Sequence, residues 1–486
     1  MSNIPRILKT YDVDSVPVNQ RSETEILFPV TSSQTGARFV FRRTGILDSN
    51  SKLQLQLISG AGNHFLPVST GAASLIQNAY LEIGGKRIST TRDLGSWKTW
   101  LNMAYSNDYK EFIGSIREGL DDRLVGSNNI ANTTTGHLRH PQNNVANHIT
   151  PTNDSTTSPT FMLTLGDIIP CLSNFRLPLF AISQEVALVL EWTADTQNIR
   201  YCSRQGVAAE ASTIGLDKLL ICADYLYYPG LMENLAMEIS GGSGLNHFFY
   251  DVLTSYRHEE ASGADPTANN QTAVRKFQHQ IQLGGQKVRS IVAQFRKGLT
   301  AAGAGGLSAG NGINQSMGQY VSNAYQNGDT YNLSVNNVPF YALDIENNSL
   351  AYTETSKALG QHLNLSNNQY TFQNLIGVGN NATDKGSFIT DTNTDLTLSD
   401  ILFEGLAISD VVASKRWIGI KLSNIRGEPM PVSNLPLIFS HSHADQGGNA
   451  AQGGNDEWNV ATNITFFAEV SRVLNIKNGV AQLINV

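Results

Sequence analysis

Charge is scarce in this 486-residue chain. Asp, Glu, Lys and Arg make up 15% of it, against roughly 25% in ordinary soluble domains. The 34 Lys and Arg are outnumbered by 41 Asp and Glu, giving a formal charge of −7 and a pI near 5.8. Neutralising phosphates requires clustered Lys and Arg. The basic pairs Arg42–Arg43 and Lys415–Arg416 are too small to form such a patch. Bulk or sequence-specific nucleic-acid binding is therefore not expected.

Cysteine is also scarce: Cys171, Cys202 and Cys222 are the whole supply. The number is odd and the spacings fit no zinc or CxxC pattern, so neither a disulfide framework nor a cysteine metal site is expected. Cys222 ends the apolar run 219–222 and reads as a buried thiol, compatible with folding in a reducing compartment. No apolar run approaches the roughly 18 residues of a spanning helix. The opening MSNIPRILKTYDVDSV lacks the apolar core of a secretory signal. The expectation is a protein that is soluble, or held at a surface by other proteins.

Asn, Gly, Ser and Thr take the place of charge. They supply turn geometry and local side-chain-to-backbone hydrogen bonds, as β-proteins with many turns require. A surface poor in charge also suits contact with copies of itself, because few charges need desolvating. Since single cores stop growing near 250–300 residues, 486 residues call for two domains.

Period-2 patterns run through both halves. Residues 25–30 and 37–42 read as strands, and in 51–57 Leu53, Leu55 and Leu57 alternate with Lys52, Gln54 and Gln56. Ala79, Leu81 and Ile83 repeat the pattern before Gly84-Gly85, a hairpin turn. Helical spacing follows: Leu94, Trp97, Leu101, Ala104 and Tyr105 share one face, with Trp100 close by, and Phe112, Ile113 and Ile116 indicate a shorter helix. The tryptophans read as core packing rather than a ligand platform. Strands resume at 161–165 and 185–192, the latter apolar on both faces, and at 218–228. Pro229-Gly230 and a helix at 231–239 mark the domain boundary.

The second half shows strands at 248–256, 272–283, 287–296, 331–340, 401–408, 416–422, 463–470 and 472–476, with a helix at 348–359. Three polar insertions, 126–160, 298–314 and 445–456, read as long loops. The order strand, turn, strand, helix occurs at 80–102 and again at 331–359, an echo that indicates duplication.

Catalytic patterns are weak. His441-Ser442-His443-Ala444-Asp445 is an HxHxD fragment of dizinc hydrolase sites, but Gln446 stands where a further His is needed and the surrounding elements are wrong, so it reads as a polar loop. Gly84-Gly85-Lys86-Arg87 lacks the Ser or Thr of a P-loop. The glycines of 303–312 lack the flanking strand and helix of a dinucleotide site. Asp251 with Glu259 or Glu260 could form a glycosidase pair only at a carboxyl separation of about 5–9 Å. No GxSxG is present. No catalytic, cofactor-binding or metal-ligating residue is assigned, and no enzymatic activity is expected.

Glu82, Ile83, Gly84, Gly85 and Ile88, followed by Trp97 and Trp100, resemble the strand-to-helix signature of double jelly-roll major capsid proteins of polinton-like viruses, virophages and large eukaryotic DNA viruses. Residues 177–182 (LPLFAI) with Glu185-Val186 are similar to a segment late in that family's first roll. Arg472-Val473-Leu474-Asn475-Ile476 with Gly479 is similar to its closing strand pair.

The resemblance implies an all-β fold of two tandem eight-stranded antiparallel jelly-roll sandwiches, with short helices inserted in inter-strand loops. It divides the chain into an N-terminal arm (1–24), a first roll (25–230) and a second roll (231–486). It implies a structural major capsid protein: a homotrimer forming a pseudo-hexameric capsomer of an icosahedral virion shell around a DNA genome, made and assembled inside the host cell. Its partners would be neighbouring capsomers, penton and minor capsid proteins, and an inner membrane reached through other proteins. The polar insertions would form the outer tower, and Trp97 would seat its helix on its own sandwich. The competing readings are a jelly-roll carbohydrate-binding or carbohydrate-active protein, and a minor capsid or spike protein of the same virus type.

Overall fold

In the computed structural model, residues 21–59, 64–65, 70–104, 114–119, 148–149, 160–173, 175–193, 202–203, 214–242, 244–259, 274–297, 330–346, 348–360, 417–432, 436–444 and 462–485 are described. The first roll is built from β1 (Arg21–Leu27), β2 (Gly36–Val40), β3 (Lys52–Ser59), β4 (Ile76–Ile83), β5 (Lys86–Arg92), β6 (Thr160–Thr164), β7 (Val186–Trp192) and β8 (Ile214–Tyr227). One sheet runs β1-β8-β3-β6 and the other β2-β7-β4-β5, all antiparallel. Chain neighbours such as β2 and β3 lie in opposite sheets, which is the winding of a jelly roll.

The second roll is built from β9 (Leu245–Glu259), β10 (Val274–Ile281), β11 (Lys287–Lys297), β12 (Thr330–Val335), β13 (Val338–Pro339), β14 (Trp417–Lys421), β15 (Leu437–Ala444) and β16 (Thr462–Lys477). Its sheets run β9-β16-β11-β14 and β10-β15-β12-β13. Raising each label of the first roll by eight gives the second, so the echo between the halves is an identity of strand order. Further two-residue strands extend these sheets, His64–Phe65 pairs with Cys202–Ser203 and His148–Ile149 in a small separate sheet, and β17 (Val480–Asn485) forms a hairpin with the end of β16.

The alternation in the sequence is that of half-buried strands. Leu53 and Leu55 are fully buried while Lys52 and Gln54 are only partly covered. β7 lies between β2 and β4 in its sheet; Val186, Leu188 and Leu190 are fully buried on one face, whereas on the other Ala187 is buried and Val189 and Glu191 are only partly covered, so the strand is less enclosed than its apolar run indicates. The β4–β5 turn places Gly84 at φ 58° and Gly85 at φ 74°. Its counterpart between β12 and β13 places Asn336 at φ 54° and Asn337 at φ 64°. Two consecutive positive φ values are what a type I′ hairpin turn requires, and Gly and Asn are the residues that tolerate them.

Each hairpin leads to a helix, α1 (Leu94–Met103) in the first roll and α3 (Asn348–Leu359) in the second; α2 (Pro229–Gly241) connects the rolls. Proline opens α2, where its missing N–H costs nothing, and Gly242 caps it.

Three expectations change. Residues 463–470 and 472–476 are not separate strands but one 16-residue β16, because Ser471 and Arg472 continue the ladder opposite Tyr250 and Phe249. His441 to Ala444 are not loop but the end of β15. The shorter helix comprises Ser115–Glu118. The strand expected at 401–408, the insertions 298–314 and 445–456, residues 105–113 and most of 126–160 lie outside the described residues.

Candidate functional site at the joint between the two rolls

The motif residues of the first roll meet through one guanidinium. Arg38 on β2 bonds Glu82 at 2.7 Å and Glu185 at 2.7 Å, joining the EIGG strand to the segment that leads into β7. The Gly84 amide donates to the Glu185 carbonyl at 2.8 Å. A Cβ at Gly84 would lie 2.6 Å from the Gln184 side chain, so the turn sits tightly on that segment.

The closing hairpin of the chain lands on the same place. The backbone N–H and the hydroxyl of Ser183 each donate to the Gly479 carbonyl at 2.8 Å, and the Ala481 amide donates to Gln184 Oε1 at 3.0 Å. Residues 183–185 therefore collect all three signature segments, almost 300 positions apart in sequence. No local pattern could have revealed that convergence.

Apolar contacts cross the joint in both directions. Leu245 and Phe249 of β9, Leu474 and Ile476 of β16, and Ala481 of β17 pack into the first roll's core. The His247 ring stacks on Phe175 with centroids 3.6 Å apart, and its Nε2 lies 3.0 Å from the Cys171 carbonyl, which fixes the proton on Nε2. In return, α1 sends Trp97, Trp100 and Ala104 into the core of the second roll. Trp97 lies 5.6 Å from Phe467 and Trp100 lies 5.6 Å from Trp417, centroid to centroid. The tryptophans are core residues as expected, but the core is the other roll's, which corrects the expectation that Trp97 seats the helix on its own sandwich.

α1 is also not the one-faced helix that its spacing indicates. Leu94 faces the first core, and Ser96, Lys98, Thr99 and Asn102 are buried as well, because the helix is enclosed between the rolls. Lys98, 2% exposed, pairs with Asp167 at 2.9 Å and Glu118 at 3.4 Å. A buried ammonium persists only with such partners.

Asp251 occupies the centre of the joint. It is 2% exposed, accepts hydrogen bonds from Ser89 Oγ at 2.9 Å and the Thr90 amide at 3.2 Å, and faces Arg472 at 3.4 Å. Burial pushes its carboxyl up to about 6, against the opposing pull of Arg472 and the hydrogen bonds. It cannot form a glycosidase pair with Glu259, which lies eight residues along the same strand and so roughly 26 Å away. Glu260 lies outside the described residues.

The remaining chemical candidates have structural roles. His441 is buried in β15, its ring 5.2 Å from Phe277 and its Nε2 3.3 Å from His279 Nε2. His443 is two positions further along the same strand, and Asp445 and Gln446 lie outside the described residues, as does 303–312. No group of three His, Cys, Asp or Glu is arranged to hold a metal among the described residues. Lys86 and Arg87 start β5, where Arg87 lies 3.9 Å over the Tyr80 ring. Cys171 is buried, which pushes its thiol well up, while Cys222 is only half-buried on the β8 ladder and not enclosed as expected.

No family model and no curated protein matches this sequence. Solved structures do. A chain of the PBCV-1 virus capsid aligns with TM-score 0.55 at 12% identity, over 96% of this chain and 97% of that one. A chain of the Sputnik virophage aligns with TM-score 0.52 at 11% identity, over 98% and 90%. The Faustovirus major capsid protein aligns with TM-score 0.50 at 11% identity, over 98% and 93%. Two rolls of identical strand order, joined as described, give this chain the double jelly-roll fold of viral major capsid proteins.

Proposed function

We propose that this chain is a major capsid protein, a shell subunit whose activity is its geometry. The observation that carries the proposal is the end-to-end match to capsid chains, 96% of this chain on 97% of a PBCV-1 capsid chain. A binding module merely sharing one sandwich would match over half that length. The buried joint adds physical sense. Two rolls that each contribute residues to the other's core present two similar blocks side by side, and three such subunits would give a ring of six blocks, the pseudo-hexameric outline that tiles an icosahedral lattice. Low charge suits the obligate contacts such a trimer needs, which bury thousands of Å².

In this proposal the rolls divide within α2, and the segment preceding β1 runs along the inner side of the shell, tying neighbouring capsomers, minor capsid proteins or a membrane held by other proteins. The insertions 126–160, 298–314 and 445–456 form the outer tower. Assembly takes place inside the host cell, around DNA, with penton and minor proteins closing the shell.

Size-exclusion chromatography with light scattering tests the trimer. Three times 52.9 kDa gives about 159 kDa. A stable species of that mass, and hexagonal capsomers or shells by electron microscopy, are expected. A monomer at all concentrations that binds glycans would overturn the proposal in favour of a carbohydrate-binding sandwich.

A further inference from the structure

A cleft of about 480 Å³ opens where β5 of the first roll runs beside β9 of the second, stitched by the Thr254 hydroxyl donating to the Arg92 carbonyl at 3.2 Å. Four arginines line it: Arg87 and Arg92 from the first roll, Arg257 and Arg472 from the second. The one carboxylate in the lining is Asp251, already engaged by Ser89, Thr90 and Arg472. In a chain of net charge −7, a surplus of three positive charges in one small cleft is not a consequence of composition.

The arginines differ in how far they are satisfied. Arg472 serves Asp251. Arg87 has Glu82 at 3.7 Å, outside the lining. Arg257 donates to the carbonyls of Tyr256, at 2.7 Å, and Gln280, which hold its guanidinium in place without neutralising it. Arg92 is exposed and makes no ion pair among the described residues. Guanidinium groups that line one cleft without matching carboxylates leave it positively charged, and their planar forks fit phosphate and carboxylate oxygens. The volume lies in the range of small-ligand sites.

We infer that this cleft binds a small multivalent oxyanion, a phosphate-bearing or polycarboxylate ion, which bridges Arg92 of the first roll and Arg257 of the second, beside the Thr254–Arg92 contact, and clamps the joint. The inference does not depend on the shell role; it would hold for any protein with this joint. Because the ion contacts both rolls, it binds the joined state and not the unfolded chain, so it stabilises the fold by mass action.

The test uses the full chain at low salt, with sodium tripolyphosphate and citrate as separate probes. Isothermal titration should give a single site per chain, and the melting temperature should rise with probe concentration. Tighter binding of tripolyphosphate marks a phosphate ligand; tighter binding of citrate marks a carboxylate one. Arg92→Ala, which removes no internal partner and therefore folds, should weaken binding about tenfold or more, the loss of a charge-assisted contact. Arg257→Ala should do the same. Lys218→Ala, an exposed cation on β8 outside the lining, should leave it unchanged. Absence of binding at 10 mM of either probe, full binding by Arg92→Ala, or an equal loss in Lys218→Ala would each overturn the inference.

Discussion

Trp97 of the first roll and Phe467 of the second lie with ring centroids 5.6 Å apart, so a helix that belongs to one sandwich completes the core of the other. Truncating this aromatic opens a cavity that the surrounding strands cannot fill. Trp97→Ala should cost about 3–5 kcal/mol, read by chemical denaturation. Hydrogen exchange should locate the damage: protection is lost around Phe467 in β16, in the second roll. Loss confined to residues 76–92 would refute the cross-roll assignment.

Gly419 on β14 is the point where both inserted helices press on the sheet. A Cβ there would come within 2.8 Å of Ala358 Cβ on α3 and 3.0 Å of Trp100 Cη2 on α1, and the Gly419 amide donates to Thr355 Oγ1 at 3.1 Å. Gly419→Val must push the two helices off the strand. A loss of about 1–3 kcal/mol is expected from overpacking. An equally stable Val variant would show that the approach is not tight.

Asp251 supplies a pH signature. Its carboxyl titrates near 6 in the fold, above its ordinary 3.8, so the folded state takes up the proton more readily than the unfolded one. Its ionised form costs stability at neutral pH, and that cost is relieved as pH falls through about 6 towards 4. Between pH 7 and pH 5 the parent should gain about 1 kcal/mol relative to Asp251→Asn. The measurement is the difference between the two proteins at each pH, which cancels the other titrating groups. Parallel stability curves would sink it.

Arg38 holds two carboxylates from different segments. Arg38→Ala leaves Glu82 mostly covered with only the longer Arg87 contact, at 3.7 Å, and because Arg38 is itself 30% exposed the cost is set near 1 kcal/mol by solvent screening. Arg38→Lys should recover only part of this, since an ammonium cannot span both partners as a guanidinium fork does. The deficit of the Ala variant should shrink in high salt.

The strands were legible because their alternation is local. Leu53 and Leu55 announce a half-buried strand without any knowledge of their neighbours, and Gly84-Gly85 announces a turn. The fold class followed from motif order. Long-range relationships were not legible. The spacing of Leu94, Trp97 and Leu101 describes one apolar face, yet nothing within α1 states that a second sandwich covers the rest of the helix. Asp251 reads in the sequence only as half of a conceivable glycosidase pair, and only the contact of β5 with β9 gives it Ser89 and Thr90. His441 read as loop because Ser, His and Asp favour loops; pairing with β10 overrides that preference.

The β9–β16 ladder runs unbroken from Leu245 opposite Ile476 to Glu259 opposite Thr462, roughly 50 Å of antiparallel strand. One end lies in the first core and the other in the second. Mechanically this pair is a girder. Tension along it loads all of its backbone hydrogen bonds together in shear, whereas a linker between separate domains would yield at its weakest residue. The two rolls would therefore part only when the whole ladder fails, and the strength of the joint is set by its length and not by any one contact.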